Sequence, residues 1–260
     1  MVRRNPKTAD QKRLVAASTS SRWIDCDPIV RSGVGVAQVP MVNAFVLNAC
    51  PHLAAAGCCD QHAIKIAIEA CQLATTALRM RGKEPQLVAL KDGQKVSPYK
   101  SAYPRHPMTL WTAACQTHWW WMVTHGLALC DEYSRRFQGK THATRRFLEA
   151  LQMDGPPDSM PLVVDVEEWR SWMTTLVWND KPLSTDNIDS ATARVARANP
   201  PLGARFGMVC FKADAATLEG LLRRDKGGEV DCIESHKRYY QHKTTQFQMR
   251  FTPIKRRFEE

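Results

Sequence analysis

Hydrophobic residues repeat at helical spacing in two long stretches, and these stretches predict the main elements of the fold. The first stretch, residues 60–82, has apolar side chains around most of a helix circumference. They are Ala63, Ile64, Ile66, Ala67, Ile68, Ala70, Cys71, Leu73, Ala74, Ala77 and Leu78. A surface helix has only one apolar face, so the pattern predicts a buried helix of about 20 residues. Asp60 is a candidate N-cap, and Arg79, Arg81 and Gly82 are typical of a helix C terminus.

Polar residues recur within this first helix at steps of three and four, which places them along one stripe. The stripe consists of His62, Lys65, Glu69, Gln72 and Thr76. Buried polar groups are costly unless they pair with one another or line a wet cleft. Two interpretations follow: a self-satisfied network closed by a Lys65–Glu69 pair, or the wall of an active site.

The second stretch, residues 109–137, predicts another core helix with Thr109 as its N-cap. Its three consecutive tryptophans, residues 119–121, cannot all face one side of a helix, so at least one should reach a groove or a partner. His118 and His125 lie seven residues apart and therefore share a face. They are either hydrogen-bonded core histidines or site residues that face the first helix.

Shorter segments complete the prediction of a mainly α-helical protein. We expect a short strand within residues 87–90, a helix capped by Thr141 that runs to Met153, and a strand at residues 162–164. A last helix is predicted from residue 230 to about residue 251.

The chain divides by composition into an extension and one large domain. Residues 1–40 are basic and polar with little periodicity, which predicts a partly disordered basic extension. Residues 41–260 are expected to form a single compact helical domain with few short strands. Within this domain, residues 158–232 are a possible insertion or lid.

Composition narrows the functional classes. A formal net charge of +10 favours a polyanionic partner such as nucleic acid. No apolar run approaches the roughly 20 residues that cross a bilayer, and the start of the chain lacks a secretory signal. We therefore expect no membrane contact and an intracellular location, in the host cytoplasm or nucleus if the protein is viral. The nine cysteines are scattered and are interpreted as thiols.

No cofactor is predicted. Cys58, Cys59 and His62 are possible metal ligands at a helix start, but no second ligand pair with suitable spacing follows, so no metal site is expected. The absence of a glycine-rich phosphate loop argues against an ATP-dependent activity.

Two segments have a composition suited to nucleic acid. One brings a basic cluster together: Tyr133, Arg135, Arg136, Lys140, His142, Arg145 and Arg146. This cluster is a phosphate cradle or an exposed basic face. The predicted last helix interleaves aromatic and basic residues: Lys237, Arg238, Tyr239, Tyr240, His242 and Lys243. Phosphates could meet its cations while bases stack on its rings.

The order of several motifs carries a resemblance to a known family. The motifs are the FVL segment at 45–47, Asp60-Gln61-His62, Lys65, Glu69, Gln72, Tyr99-Lys100, His106-Pro107, Trp111, Cys130-Asp131-Glu132-Tyr133, Arg136, Lys140, His142, Tyr239-Tyr240 and Lys243. This series resembles bacteriophage and large-virus proteins related to pyrimidine-dimer DNA glycosylases (endonuclease V-like). The likeness covers most of residues 41–153 and 233–253. In the glycosylases a histidine is followed seven residues later by the catalytic glutamate, as His62 is by Glu69 here.

The resemblance implies a DNA-acting enzyme of the base-excision glycosylase and AP-lyase type, which works on an extruded base. It implies catalytic roles for His62, Lys65, Glu69 and Gln72, with Glu69 managing proton transfers. The residues expected to bind DNA are Arg136, Lys140, His142, Arg145, Tyr239 and Lys243. The residues expected to support the site are His106, Trp111, His118 and His125.

The nucleophile is left open between two amines. These glycosylases attack with the α-amine of a processed N terminus, whereas a basic extension precedes the FVL segment here. Initiation at Met41 followed by methionine removal would expose the α-amine of Val42. Alternatively, Lys65 could form a Schiff base if Ile64, Ile66 and Ile68 desolvate its amine and lower its pKa.

Two other functions are also compatible with the sequence. One is a transferase or lyase that modifies viral DNA bases or nucleotides at the same site. The other is a nucleic-acid-binding protein without catalysis. The sequence makes no prediction of the oligomeric state.

Overall fold

The computed structural model describes residues 44–104, 106–175, 177–178, 181–182, 217, 220–224, 226, 231–245 and 248–252. These residues form seven helices: α1 (Pro51–Ala56), α2 (Asp60–Met80), α3 (Pro107–Ala114), α4 (Gln116–Arg136), α5 (Arg145–Asp154), α6 (Val166–Thr175) and α7 (Cys232–Thr244). Four two-residue strands pair as antiparallel hairpins: β1 (Val88–Ala89) with β2 (Lys95–Val96), and β3 (Val177–Trp178) with β4 (Lys181–Pro182). The mainly α prediction is confirmed. The predicted extension and most of the predicted insertion lie outside the described residues.

The two long helices predicted from the sequence form an antiparallel pair at the centre of the fold. Near the start of α4, the Trp119 indole N–H donates to the carbonyl oxygen of Ala74 at 3.1 Å, in the second half of α2. At the other end, Arg136 closes α4 beside Asp60, the first residue of α2. Most side chains of α2 are buried, as the apolar pattern predicts.

The central helices approach closely at Gly126. A Cβ atom at this position would lie 3.1 Å from the Cβ of Ala70 on α2 and 2.9 Å from Cδ2 of Leu148 on α5. Real Cβ atoms rarely come so near to carbon, so three helices meet here only because residue 126 has no side chain. Since interiors are close-packed, this contact fixes the position of α2 against α4.

The second predicted helix is divided at Cys115, which is a correction to the single helix expected from Thr109 onwards. Cys115 is extended (φ −157°, ψ 164°). The N–H groups of Gln116 and Thr117 donate to the carbonyl oxygens of Pro161 and Leu162 instead of to the preceding turn. Helix α3 begins after His106, whose ring Nδ1 accepts from the Met108 N–H as the N-cap.

Arg81 explains why this break is stable. Its guanidinium donates to the carbonyl oxygens of Ala113 and Ala114, which end α3, at 2.8 and 3.1 Å. It also pairs with Glu168 of α6 at 2.7 Å and lies 3.8 Å from the ring centroid of Trp172. The carbonyl groups freed at the break are therefore paired with a cation that favours a helix C terminus.

Other boundaries also differ from the prediction. Helix α5 begins at Arg145 rather than at the predicted Thr141 cap, and residues 162–164 are not a strand. Helix α7 ends at Thr244 rather than near residue 251. These segments are short, and tertiary hydrogen bonds rather than local preference set where they begin and end.

Residues 248–252 cross the N terminus of α2. Gln61 donates to the carbonyl oxygen of Gln248 at 3.0 Å and accepts from the N–H of Arg250 at 3.1 Å. Asp60 accepts from the N–H and the hydroxyl of Thr252. Asp60 is thus the first residue of the helix and binds this segment, and the predicted N-cap role is wrong, because Cys59 occupies that position.

None of the described helices combines the length and the apolar character that crossing a bilayer requires.

Candidate functional site

The polar stripe of α2 contains an ion pair at the edge of the core. Lys65 Nζ lies 3.1 Å from Glu69 Oε1, and the two residues are one helical turn apart. The Lys65 side chain is 53% exposed, whereas that of Glu69 is 8% exposed. The carboxylate therefore lies in the protein interior while its partner ammonium reaches solvent. The expectation that neighbouring isoleucines desolvate Lys65 is not met.

His62 lies on the same stripe and is held by α7. Its Nδ1 is 2.8 Å from the Tyr240 hydroxyl, and that hydroxyl is 2.6 Å from the backbone nitrogen of Cys59. The Cys59 N–H can only donate, so the Tyr240 oxygen accepts there, and its own proton is available for His62 Nδ1. This arrangement favours the neutral His62 tautomer that carries its proton on Nε2.

Burial and two ammonium groups keep His62 neutral. Its pKa is lowered to about 4, first by burial and then by the positive charges of Lys243 and Lys65. Both lysines therefore act on one imidazole, Lys65 from α2 and Lys243 from α7. These three residues and Glu69 form a charged cluster, in which the Glu69 carboxylate pairs with Lys65.

Phe45 joins these groups into one structure. Its ring centroid is 4.6 Å from that of His62 and 5.0 Å from that of Tyr240, and its backbone has a φ of 44°. Lys243 Nζ lies 6.0 Å from the Phe45 ring centroid and 5.2 Å from that of Tyr239. A positive φ is unusual for a bulky residue. It lets the FVL segment place this ring between α2 and α7.

Gln72 continues the stripe beyond Glu69 and is half-buried. Its backbone carbonyl oxygen accepts from the Thr76 hydroxyl at 2.7 Å. Thr76 in turn holds the chain before α3, because its hydroxyl oxygen accepts from the N–H of Ala102 at 2.9 Å. The N-terminal half of the stripe therefore carries the ionisable side chains, and the C-terminal half makes structural hydrogen bonds.

Arg136 was expected to contact DNA, but it is buried and holds three elements together. Its guanidinium donates to the carbonyl oxygens of Ala56 and Cys58, at the end of α1, at 3.1 and 2.5 Å. It also pairs with Glu132 at 2.7 Å and with Asp60 at 3.3 Å. Its side chain is 3% exposed. This geometry gives Arg136 a structural role and leaves little of it to bind a phosphate.

The other predicted DNA contacts are in different environments. His142 is buried, donates from Nε2 to the carbonyl oxygen of Ile64 at 3.1 Å and accepts the Thr144 N–H on Nδ1 at 3.2 Å. Arg145 pairs with Asp131 and Glu149. Tyr239 is fully buried, and Lys140 is exposed. Of the predicted set, the structure brings Tyr239 and Lys243 to the charged cluster.

The four residues expected to support the site are core residues. His118 stacks on Trp111 with ring centroids 4.1 Å apart, and its Nδ1 is 2.9 Å from the Trp111 carbonyl oxygen. His106 is the N-cap of α3. His125 is fully buried between the carbonyl oxygens of Ala44 and Pro51, at 2.8 and 3.1 Å. Both carbonyls favour its protonated form, but burial dominates and lowers its pKa to about 4.

The three consecutive tryptophans differ in burial, as their spacing on a helix predicts. The Trp119 and Trp121 indoles are buried and donate to the carbonyl oxygens of Ala74 and Ala49. Trp120 is 36% exposed and packs edge-on against Trp119, with ring centroids 5.0 Å apart. Trp120 is therefore the member of the triplet that is accessible to a partner.

Among the described residues, no group of three or more histidine, cysteine, aspartate or glutamate side chains is arranged to hold a metal ion.

Tyr240 is the site residue that sequence reasoning did not single out. The sequence places it in the motif series and in an aromatic and basic helix, but nothing in the sequence pairs it with His62. The one available signal was its position next to Tyr239 in the motif series, which does not show which ring faces α2.

The described part of the chain defines a mainly α-helical protein with a charged cluster between its first long helix and its C-terminal helix. Comparison with family models, with curated proteins and with solved structures found no significant match in any of the three.

Proposed function

We propose that this protein is a DNA-acting enzyme of the base-excision glycosylase and AP-lyase type. The observation that carries the proposal is the Lys65–Glu69 pair, in which a largely buried carboxylate lies 3.1 Å from a half-exposed amine. Covalent base excision needs an amine nucleophile and an acid–base group within hydrogen-bond distance of it. The motif resemblance and the net charge of +10 support DNA as the substrate.

In the proposed reaction, Glu69 takes a proton from the Lys65 ammonium, and the free amine attacks C1′ of the target nucleotide. The C1′–N bond breaks, and the base leaves with the bonding electrons and takes the proton that Glu69 holds. The Lys65 nitrogen, now bonded to C1′, then passes one proton through Glu69 to the ring oxygen. The bond between C1′ and the ring oxygen breaks, which opens the sugar and gives a protonated imine between Lys65 and C1′. Tyr240 holds His62 beside this pair, where the Nε2–H tautomer offers a hydrogen-bond donor.

The α-amine of Val42 is the second candidate nucleophile. Val42 lies outside the described residues, but the FVL segment that follows it places Phe45 against His62 at 4.6 Å. In this version Glu69 serves the same proton-transfer role, and Lys65 only pairs with it. A Lys65 variant and a chain that begins at Met41 therefore distinguish the two candidate nucleophiles.

Borohydride trapping on an abasic oligonucleotide tests the proposal, because reduction converts the imine into a stable amine link. The proteins compared are the wild type, Lys65→Ala, Glu69→Gln and a chain that begins at Met41, with Lys91→Ala as a control for an exposed lysine in a hairpin turn. If Lys65 is the nucleophile, its alanine variant loses the adduct and Lys91→Ala keeps it. If only the chain that begins at Met41 forms the adduct, the nucleophile is the α-amine of Val42. Absence of an adduct from every protein contradicts the proposal.

A nucleic-acid-binding protein without catalysis is the main alternative, and the net charge of +10 favours it as much as it favours an enzyme that acts on DNA. Under this alternative, Glu69→Gln leaves DNA affinity unchanged and no damaged, abasic or modified oligonucleotide is altered. A transferase or lyase that modifies bases or nucleotides would instead change substrate mass without releasing a base. Mass spectrometry of strands and released bases distinguishes these outcomes.

A further inference from the structure

We propose that the DNA backbone binds at a surface formed by Lys65, Lys243 and Arg250, which we call the tail surface. This inference rests on the proposed function, because it assigns the contact for the same substrate at the same site. It moves the DNA contact away from the basic cluster of residues 133–146. Three structural observations and the position of the surface support the proposal.

The basic cluster of residues 133–146 is largely engaged in the fold itself. The Arg136 guanidinium is buried against backbone carbonyls, and Arg145 pairs with two carboxylates. His142 is buried and uses both ring nitrogens in backbone hydrogen bonds. If Arg136 or His142 turned to a phosphate, the buried backbone groups that they bind would lose their hydrogen-bond partners.

The tail surface brings basic residues of three segments together around His62. Lys65 follows His62 by one helical turn on α2. Lys243 Nζ lies 6.0 Å from the ring centroid of Phe45, which is itself 4.6 Å from that of His62. Gln61 is one turn before Lys65 on α2 and holds the backbone of residues 248 and 250. This fixes Arg250 beside the N-terminal half of α2. Met249 packs against the core, whereas Arg250 is exposed.

The local sequence has an excess of positive charge. Residues 235–252 contain Arg238, Lys243 and Arg250 and no aspartate or glutamate, and Lys237 in the same range pairs with Glu234. Two carboxylates of α2 also have partners within the protein: Asp60 accepts from Thr252 and Arg136, and Glu69 pairs with Lys65. A surface with this balance attracts a phosphodiester strand through counterion release.

The position of the surface also suits the chemistry. A strand whose phosphates contact Lys243 and Arg250 passes along α2 at the level of His62 and Lys65, which places a target sugar near the reactive pair. Phosphate contacts fix the register and orientation of a bound strand. The exposed Lys65 ammonium can then reach the target sugar.

Fluorescence anisotropy with a duplex that contains a tetrahydrofuran abasic analogue tests the proposal, since this analogue cannot form an imine. Lys243→Ala and Arg250→Ala are compared with Lys140→Ala and Lys91→Ala, which remove exposed lysines elsewhere. Each tail-surface variant is expected to raise Kd roughly eightfold at 0.1 M salt and to make the negative slope of log K against log salt shallower by about 0.9, the effect of one lost phosphate contact. The two control variants should leave both quantities near the wild-type values.

The proposal is overturned if the tail-surface variants bind like the wild type, or if Lys140→Ala weakens binding as much as they do. Thermal unfolding of each variant must match that of the wild type, and Arg250→Gln serves as a second neutral replacement. Failure of this surface is distinguishable from failure of the proposed function. If borohydride traps an adduct but Lys243→Ala and Arg250→Ala bind DNA with unchanged affinity, only the tail-surface proposal is contradicted. If binding at this surface depends on salt but no adduct is trapped, only the proposed enzyme activity is contradicted.

Discussion

The Tyr240 hydroxyl lies 2.8 Å from Nδ1 of His62 and 2.6 Å from the backbone nitrogen of Cys59, so one phenol links the C-terminal helix to the start of the central helix. The hydroxyl accepts from one neighbour and donates to the other, and it is buried with both. Burial raises the pKa of Tyr240, which keeps the proton on the phenol. This bridge places His62 beside the Lys65–Glu69 pair.

Removal of this hydroxyl should release the His62 ring. In Tyr240→Phe we expect His62 to lose its preference for the Nε2–H tautomer, and the buried Cys59 N–H without an acceptor should lower the free energy of unfolding by about 1–3 kcal/mol. Nitrogen-15 correlation spectra of the histidine rings report the tautomer, and urea unfolding reports the stability. Tyr99→Phe, which removes a hydroxyl 3.1 Å from Thr144, is the matched control. A wild-type His62 protonated on Nδ1 would contradict the bridge.

Stability should fall as the pH is lowered from 6.5 to about 4. The pKa of His62 and that of His125 are both lowered to about 4 from an ordinary value of 6.5, chiefly by burial. In this window the unfolded chain binds protons that the folded protein does not, so the free energy of unfolding decreases with falling pH. The loss approaches about 1.4 kcal/mol per pH unit for each histidine.

Two carboxylates add to this loss of stability at lower pH. Salt bridges and hydrogen bonds hold the pKa of Asp60 and that of Glu132 below their ordinary values, so their stabilisation is lost only as the pH falls further. NMR titration of the histidine rings, with His62→Gln to assign one signal, checks the prediction. A midpoint near 6.5 for either buried ring would contradict it.

Arg136 should matter to folding far more than to DNA affinity. Its replacement by alanine leaves the carbonyl oxygens at the end of α1 and the carboxylates of Asp60 and Glu132 without their buried cation. We expect Arg136→Ala to lower the free energy of unfolding by about 3–5 kcal/mol. Arg145→Ala, which breaks partly exposed pairs, should cost about 1 kcal/mol or less. Urea unfolding compares the two variants. Equal stabilities together with a selective loss of DNA binding in Arg136→Ala would restore the phosphate role.

The sequence was sufficient for the elements whose apolar pattern is long. Helix α2 was predicted to within a few residues, since its pattern covers about six turns and ends at an arginine-rich C terminus. The split at Cys115 was not predictable, because it depends on carbonyl oxygens of residues 161–162 and on Arg81, which are distant in sequence. Local preference favours one continuous helix there, and tertiary hydrogen bonds override it.

In the candidate site, too, local contacts were predictable from the sequence and tertiary contacts were not. The pairing of Lys65 with Glu69 follows from helical spacing alone, so the sequence predicted it. The burial of Arg136 and His142 did not follow, since a run of cations reads as an exposed basic face unless its partners are known. Three basic side chains, Arg81, Lys83 and Arg136, bind carbonyl oxygens at helix ends or just beyond them. Part of the positive charge therefore stabilises the fold and is not available to a partner.

Gly126 should tolerate no side chain while Leu148 and Ala70 keep their positions. An added Cβ would lie 2.9 Å from the end of Leu148 and 3.1 Å from the Ala70 Cβ, and α2 cannot move away without disturbing the rest of the core. We expect Gly126→Ala to lower the free energy of unfolding by about 1–3 kcal/mol, as overpacking usually does. Gly220→Ala is the control, because a Cβ there meets no atom within 4 Å.

A double-mutant cycle separates steric overlap from a change in helix propensity. In a Leu148→Ala background the new Cβ has room on one side, so the penalty of Gly126→Ala should shrink to the overlap with Ala70. Urea unfolding of the four proteins gives the coupling. Alanine is a better helix former than glycine by about 1 kcal/mol, so a stabilised Gly126→Ala variant would mean that the helices separate at no cost. That result would contradict the close approach of α2, α4 and α5 on which the position of the charged cluster depends.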